Sequence, residues 1–319
     1  MDKRDLRVLE MLLKDSRASL TEISKRTGLS RFAVKDRIEK LFNAGAILGP
    51  TIVVDPARVG VSRTVFFEFK TNPHEPWLAK MLEKTSSCDL LDGTTGEFSL
   101  LARFRLTSDE HFAAVLKKID DAMGKSYFKK YRVVNAIRIF KESGIAFHLG
   151  AINPQKVDEV DIEILRILLN QAQNTKSPLP VTTVQLSKQL GNLGVRISQP
   201  AVFNRLSRLE KGGVILGHTL RVDHSKLGLQ TKFIVRIKAN PNSYDAVAGS
   251  YLTSMPQISD LYRTGEEYGL LATVRVRDAS EFNDFLLKLY DSKDIIDTYS
   301  TLVLEERKDS PLPLQENED

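Results

Sequence analysis

Apolar positions near the start of the chain recur at helical spacing and predict three short helices. In the first helix these positions are Leu6, Leu9, Leu12 and Leu13, and in the third they are Val34, Ile38 and Leu41. A second helix is predicted over residues 20–26, and Gly28 suits the tight turn that follows it because glycine adopts left-handed backbone angles. Ser30 suits the N-cap of the third helix. This order predicts a helix-turn-helix within residues 1–50, with a short wing and connecting strand over 45–54.

The pattern then changes to alternating apolar segments that are rich in β-branched and aromatic residues, which favours strands. Strands and helices are predicted in the order βαββαβ within residues 62–145. The strands are expected over 64–70, 88–92, 99–104 and 132–140, and the helices over 77–83 and 109–123. An antiparallel sheet with helices on one face follows, so the fold class is α+β with a ferredoxin-like αβ-sandwich.

The second half of the chain repeats the first. Residues 45–60 and 213–228 share the pattern G-x-I-x-G-x-T-x-x-x-D, and the register holds without a gap from Ser30 and Ser198 to Lys70 and Lys238. The repeat predicts a second winged helix-turn-helix over 157–217 and a second βαββαβ domain over 230–308. A linker is predicted near 142–155, where Gly and Pro interrupt the pattern, and a tail over 309–319.

Cations cluster on the third helix of the first helix-turn-helix. A helix of this kind fits the major groove of DNA, where its early residues reach base edges and flanking cations contact phosphates. We predict guanine contacts for Arg31 and Lys35, a thymine-methyl contact for Phe32, and phosphate contacts for Arg37 and Lys40. A solvated charged helix face is the alternative.

The second repeat keeps the flanking cations and changes the base-reading positions. Gln199 takes the place of Arg31, Phe203 that of Lys35, and Asn204 that of Asp36. Arg205 and Arg208 take the places of Arg37 and Lys40. Because amides suit adenine and cations suit guanine, the two helices predict two unlike half-sites in double-stranded DNA. The second turn, residues 191–197, is longer than the first, so DNA contact by the second copy is the weaker prediction.

Composition narrows the class of protein. The chain has 319 residues, 42% of them hydrophobic and 27% charged, with a net charge of +5 that permits a polyanionic partner. No apolar run approaches a membrane span, and the start of the chain enters a helix pattern instead of a signal peptide, so we expect a cytoplasmic protein without membrane contact. Cys88 is the single cysteine and the five histidines are scattered, so we expect no metal, no cofactor and no catalytic residues.

Taken together, the shared G-x-I-x-G-x-T motif, the capped third helix and a T-G-E sequence before a strand resemble the Lrp/AsnC family of transcription regulators, in a tandemly duplicated form. The resemblance implies self-association through the αβ domains into dimers or larger assemblies, and a small-molecule effector, commonly an amino acid. The implied effector loops are Thr95-Gly96-Glu97 and Thr264-Gly265-Glu266. Their glycines also suit a simple turn.

Two other hypotheses stay open. Siroheme decarboxylases resemble this chain in having the same two-module architecture. His218 with Arg221 is the nearest candidate here for a site that binds porphyrin carboxylates. A sensor or assembly hub without DNA binding is the third. Glu68 and Arg236, at matching places in the two repeats, are either complementary partners or solvated strand residues.

Overall fold

The first repeat folds as three helices followed by a strand and then an αβ segment. The structure, a computed structural model, describes residues 1–147, 156–175 and 177–314, so the predicted linker and tail lie partly outside the described residues. In chain order the elements are α1 (Lys3–Lys14), α2 (Leu20–Thr27), α3 (Arg31–Asn43), β1 (Ile47–Val54), β2 (Arg63–Lys70), α4 (Pro76–Glu83), β3 (Cys88–Thr94), β4 (Leu100–Leu106), α5 (Asp109–Met123), β5 (Lys130–Glu142) and β6 (Ile145–Ala146).

The second repeat has the same order with one extra short helix. Its elements are α6 (Glu159–Leu169), α7 (Gln171–Asn174), α8 (Thr183–Asn192), α9 (Gln199–Lys211), β7 (Ile215–Val222), β8 (Thr231–Ala239), α10 (Tyr244–Ala246), a π-helical segment (Val247–Leu252), β9 (Ile258–Thr264), β10 (Leu270–Val276), α11 (Ala279–Leu289) and β11 (Ile295–Asp309).

The two repeats combine into two compact units, each of which takes one part from each repeat. Met1–Val59 and Gly150–Gln230 form the first, which we call the helix-turn-helix unit. Gly60–Leu149 and Thr231–Asp319 form the second, which we call the barrel unit. Segments of the same kind from opposite repeats are therefore neighbours.

In the helix-turn-helix unit the two repeats are joined by their connecting strands. β1 pairs antiparallel with β7, so the segment predicted as a wing finds its strand partner in the other repeat. Thr51 lies opposite Thr219, which is its own counterpart 168 residues later. The two hydroxyls make matching bonds, from Thr51 to the Leu169 carbonyl at 3.2 Å and from Thr219 to the Leu13 carbonyl at 2.8 Å. An approximate two-fold axis therefore passes between these threonines.

In the barrel unit the two four-stranded sheets close into a ring. The strands follow one another as β2, β4, β3, β11, β8, β10, β9 and β5, and β5 pairs with β2 to complete an antiparallel barrel of eight strands. Alternate side chains of β2 lie on opposite faces. Phe67 packs in a core with Leu78 of α4 and Ile119 of α5, whereas Phe66 packs with residues of both repeats, including Tyr262. The predicted α+β fold with two repeats is confirmed.

Candidate nucleic-acid interface and ligand cavity

The third helix of the first repeat presents an exposed face that combines cations with an aromatic ring. Ser30 caps α3 by accepting a hydrogen bond from the Ala33 amide at 3.1 Å, and Val34, Ile38 and Leu41 are buried. This burial leaves the opposite face in solvent, where Arg31, Phe32 and Lys35 are exposed. Phe32 is 81% exposed, which is unusual for a large apolar side chain in a folded domain.

The equivalent helix of the second repeat has the same construction with different chemistry. Ser198 caps α9, and Val202 and Leu209 are buried. The exposed face carries Gln199, Phe203 and Asn204, and the Phe203 side chain is 59% exposed. The Gln199 amide donates to the Thr183 hydroxyl at 2.9 Å. Each face therefore carries one exposed phenylalanine, at different positions along the helix, and the cations Arg31 and Lys35 of the first face are replaced by Gln199 and Phe203 in the second.

A shared hydrogen bond supports both turns in spite of their different lengths. The Ser24 hydroxyl donates to the Leu29 carbonyl at 2.5 Å, and the Ser187 hydroxyl donates to the Ile197 carbonyl at 2.6 Å. Gly28 and Gly194 have φ values of 70° and 86°, which glycine adopts without strain. The longer second turn thus ends in the same anchoring contact as the first.

The arginines predicted to contact phosphates already have carboxylate partners within the protein. Arg37 Nη1 lies 2.8 Å from Asp2 and also bonds Asp5, and these two aspartates form the capping box of α1. Hydrogen bonds from the Asp5 amide and from Arg37 lower the pKa of Asp2. Arg37 therefore ties α3 to the start of α1, a role that the sequence prediction missed. The phosphate contact predicted for Arg37 from the sequence competes with these two carboxylates, and the contacts favour the role within the protein.

The second repeat reproduces this contact. Arg205 Nη1 lies 2.6 Å from Asp158 and 2.8 Å from Asp161, and Arg208 also bonds Asp161. Asp158 and Asp161 form the capping box of α6. The signal was present in the sequence, because an aspartate pair spaced by three stands at the start of the first helix of each repeat and an arginine recurs at the same place in each third helix.

The lysines of α3 are held much more loosely. Lys35 lies 3.7 Å from Glu39 and Lys40 lies 2.8 Å from Asp36, each pair spanning one turn of the helix. The Lys40 side chain is 73% exposed, against 23% for Arg37. Exposed pairs of this kind contribute little to stability, so they would not prevent the contacts predicted for these lysines, of Lys35 with guanine and of Lys40 with phosphate.

The predicted effector loops lie in the barrel unit, and one of them borders a cavity of about 210 Å³. Thr95 and Glu97 line this cavity. Its other lining residues are Glu68, Phe98, Arg132, Arg236, Tyr268, Tyr299 and Thr301. Gly96 has a φ of 93° and permits the turn. Thr264, Gly265 and Glu266 are not among the residues that line the cavity, so the second loop reaches it only through Tyr268, which follows the predicted residues.

The alignment of the two effector loops needs a correction of one residue. The Thr94 amide and hydroxyl bond Ser99 and Phe98, and the Thr264 amide and hydroxyl bond Gly269 and Tyr268 in the same way. Thr94 is therefore the counterpart of Thr264, and Tyr268 that of Phe98. Matching the letters T-G-E placed Thr95 opposite Thr264, because sequence identity over three residues outweighed the spacing to the following strand.

Within the described residues no group of three or more His, Cys, Asp or Glu could hold a metal ion. In that same part of the chain, no helix is long and apolar enough to cross a membrane. Cys88 is buried, and burial raises the pKa of its thiol to about 12. His218 is also buried and lies 3.0 Å from Glu210.

The fold and these sites define a class of protein in which a helix-turn-helix and an αβ ligand-type domain occur twice. Residues 1–47 match the winged helix-turn-helix DNA-binding domain, and residues 232–313 match the Lrp/AsnC ligand binding domain. An HTH-type transcriptional regulator of Pyrococcus abyssi, itself uncharacterized, is 33% identical over 149 residues, which are 46% of this chain and 96% of the relative. The chain belongs to the Lrp/AsnC family.

Other relatives also align with about half of this chain, as expected when one chain contains two family units. The proline dehydrogenase transcriptional activator of Rhizobium radiobacter is 29% identical over 153 residues, 46% of this chain and 94% of the activator. The crystal structure of the siroheme decarboxylase NirDL covers 98% of this chain and 94% of its own, with a TM-score of 0.65 and 14% identity. At that identity the likeness shows a shared fold alone.

Proposed function

We propose that this protein is a sequence-specific DNA-binding transcription regulator that acts as a covalent pseudo-dimer. The observation that carries the proposal is the exposed face of α3, where Arg31 and Lys35 flank an aromatic ring that has no place in the core. Family membership and the names of the relatives support the same function. Regulation without catalytic turnover is part of the proposal.

The finer part of the proposal is that the protein binds an asymmetric site. Arg31 and Lys35 suit guanine, whereas Gln199 and Asn204 suit adenine, and the approximate two-fold axis at Thr51 and Thr219 relates the helices that carry them. Selection of bound sequences from random DNA, followed by footprinting, tests this directly. We expect two unlike half-sites, and a perfect palindrome would refute the asymmetric reading while leaving DNA binding intact.

Base recognition is tested by removing Arg31. Loss of one good side-chain contact to a base costs about 1–3 kcal/mol, or roughly 5- to 150-fold in affinity for the selected site. We expect Arg31→Ala to weaken binding by an amount in this range and to relax the preference at one base position. Lys117→Ala is the matched control, because Lys117 is an exposed cation on α5 in the barrel unit. Equal affinities for both variants and the wild type would reject α3 as the reading helix.

An effector of the regulator is proposed to bind in the cavity beside Thr95 and Glu97. Arg132 and Arg236 supply cations to its lining, and Tyr268 and Tyr299 supply aromatic surface. Calorimetric titration with a panel of amino acids and related carboxylates tests this part. We expect one of them to bind and to change DNA affinity, and no effect of Thr95→Val on that binding would remove the cavity from the proposal.

An enzyme similar to siroheme decarboxylase is the competing hypothesis, and it rests on the shared fold. Titration of the purified protein with siroheme, followed by its visible absorption and by release of carbon dioxide, separates the two. Turnover of the tetrapyrrole together with no DNA selection would replace the regulator hypothesis by the enzyme one.

A further inference from the structure

Two oppositely charged residues meet where the two repeats face each other inside the barrel unit. Arg236 donates from Nη2 to Oε1 of Glu68, and both residues are buried. Their numbers differ by 168, the same offset as Thr51 and Thr219, so each is the counterpart of the other. A residue that contacts its own counterpart lies on the approximate two-fold axis. The sequence left open whether Glu68 and Arg236 are complementary partners or solvated strand residues. The contact shows that they are complementary partners.

A second contact between the repeats is equally one-sided. Lys232 of β8 lies 2.7 Å from Asp92 of β3, and both side chains are buried. The counterpart of Lys232 is Thr64, at the same offset of 168. The counterpart of Asp92 is Tyr262, because the offset in this strand is 170, as it is for Thr94 and Thr264. A lysine–aspartate pair at one end of the barrel thus corresponds to a threonine and a tyrosine at the other.

The polar groups at the other end are satisfied by a network of different residues. Arg103 donates to the Tyr262 hydroxyl at 2.7 Å and to Asp89 at 2.7 Å. Arg105 donates to the Thr64 hydroxyl at 2.9 Å and to Asp89 at 2.9 Å. Each of these buried charges therefore has a partner of opposite charge in this arrangement.

Pairing between like halves would break these matches. Two first halves would place Glu68 against a second Glu68, and would replace Lys232 beside Asp92 by Thr64. Two second halves would place Arg236 against a second Arg236, and would replace Asp92 beside Lys232 by Tyr262, which leaves Lys232 with Glu306 of its own half. Like charges in contact are unfavourable, and more so where the side chains are largely buried, as those of Glu68 and Arg236 are.

We propose that the interior of the barrel unit is a heterospecific interface, which accepts the opposite half of this chain and rejects a copy of the same half. Its partner is defined by chemistry: the first half supplies carboxylates at positions 68 and 92, and the second half supplies Arg236 and Lys232. Each barrel therefore contains one half of each kind, whether the halves come from one chain or are exchanged between two. The inference does not depend on DNA binding.

Single charge reversals recreate, in the intact chain, the contacts that like-half pairing would make. Glu68→Arg gives two facing arginines and Arg236→Glu gives two facing glutamates. We expect each reversal to lower the thermal midpoint by about 10 °C, since like charges in contact cost several kcal/mol. Glu68→Gln, which removes the attraction without adding repulsion, should lie between the reversals and the wild type. Arg277→Glu is the control, because Arg277 is exposed in the same unit and pairs with Glu281.

The double variant Glu68→Arg with Arg236→Glu restores the attraction in reverse. It should recover at least half of the decrease in thermal midpoint. Recovery should be incomplete because Arg132, which donates to the other oxygen of Glu68 at 2.7 Å, would then lie beside an arginine. If the single reversals fail to fold, a soluble double variant still supports the inference. Single reversals with the same thermal midpoint as the wild type would overturn the proposal of a heterospecific interface. A double variant that is no more stable or soluble than the single reversals would also overturn it.

Discussion

Lys40 and Arg37 are neighbouring cations on α3, and replacing each by alanine should have a different effect. The difference tests which residues of α3 contact DNA. Lys40 is 73% exposed and is paired only with Asp36, one turn away. Arg37 is 23% exposed and joins two aspartates at the start of α1. We therefore expect Lys40→Ala to affect DNA binding and Arg37→Ala to affect folding.

The expected size of the first effect follows from counterion release. Each phosphate neutralised contributes about 0.9 to the slope of log affinity against log salt, so losing one contact lowers the magnitude of the slope by about 0.9. Between 50 and 200 mM salt the wild type should then lose about 3.5-fold more affinity than Lys40→Ala does. The thermal midpoint of Lys40→Ala should stay close to that of the wild type, because exposed pairs one turn apart stabilise a helix only by a few tenths of a kcal/mol.

Arg37→Ala should show the reverse signature, with a lower thermal midpoint and an unchanged salt slope. Fluorescence anisotropy of the selected DNA across the salt range measures the slope, and calorimetry of the same samples measures the midpoint. Arg205→Ala, which breaks the equivalent contacts with Asp158 and Asp161, should repeat the Arg37 result. The reasoning is refuted if Arg37→Ala reduces the slope by about 0.9 while melting with the wild type, since the guanidinium would then be serving phosphate.

Three further predictions concern the folded chain. Gly49→Ala should lower the thermal midpoint, because the added Cβ would lie 2.8 Å from the Ala172 Cα. Gly191→Ala in α8 is the control, since its Cβ would meet nothing within 4 Å and the midpoint should not fall. Equal thermal midpoints for the two variants would contradict the packing at Gly49. Cys88 should resist thiol reagents until the protein is unfolded, since burial raises the pKa of its thiol to about 12, and rapid labelling of the native protein would contradict this. Burial and the charge of Arg17 lower the pKa of His218, so its protonation favours the unfolded chain. Stability should therefore fall as the pH drops below about 6.5, and His218→Gln should lose less over that range; identical pH profiles of the thermal midpoint would refute the assignment.

The sequence predicted elements well wherever periodicity alone defines them. The third helix, its cap at Ser30 and the strands of the first αβ segment lie where the patterns placed them. The pairing of strands was harder to predict, because a period of two residues identifies a strand but does not indicate which strand lies next to it. The pairing of β1 with β7 and the closure of the barrel therefore came only from the structure.

The candidate sites show the same limit. Helical spacing places Arg37 on the flank of α3, but nothing in that spacing reports that the capping aspartates of α1 come within reach of it. The lining of the cavity by Tyr268 and Tyr299 was missed for a related reason, since these residues lie far apart along the chain and only the fold brings them together.

Fusion of the two halves changes which substitutions a two-fold interface can tolerate. In a dimer of identical chains every residue on the axis meets itself, so a buried glutamate there would face a glutamate. In this chain position 68 and position 236 differ, and the buried glutamate faces an arginine. The same freedom extends to the candidate reading helices, where Arg31 corresponds to Gln199 and Lys35 to Phe203. Because linkage raises the effective concentration of one half for the other to the mM scale, the unlike halves stay together at any cellular level of the protein. The asymmetric barrel and the proposed asymmetric DNA site would thus be two consequences of one duplication, and the first would preserve the second by keeping unlike halves together.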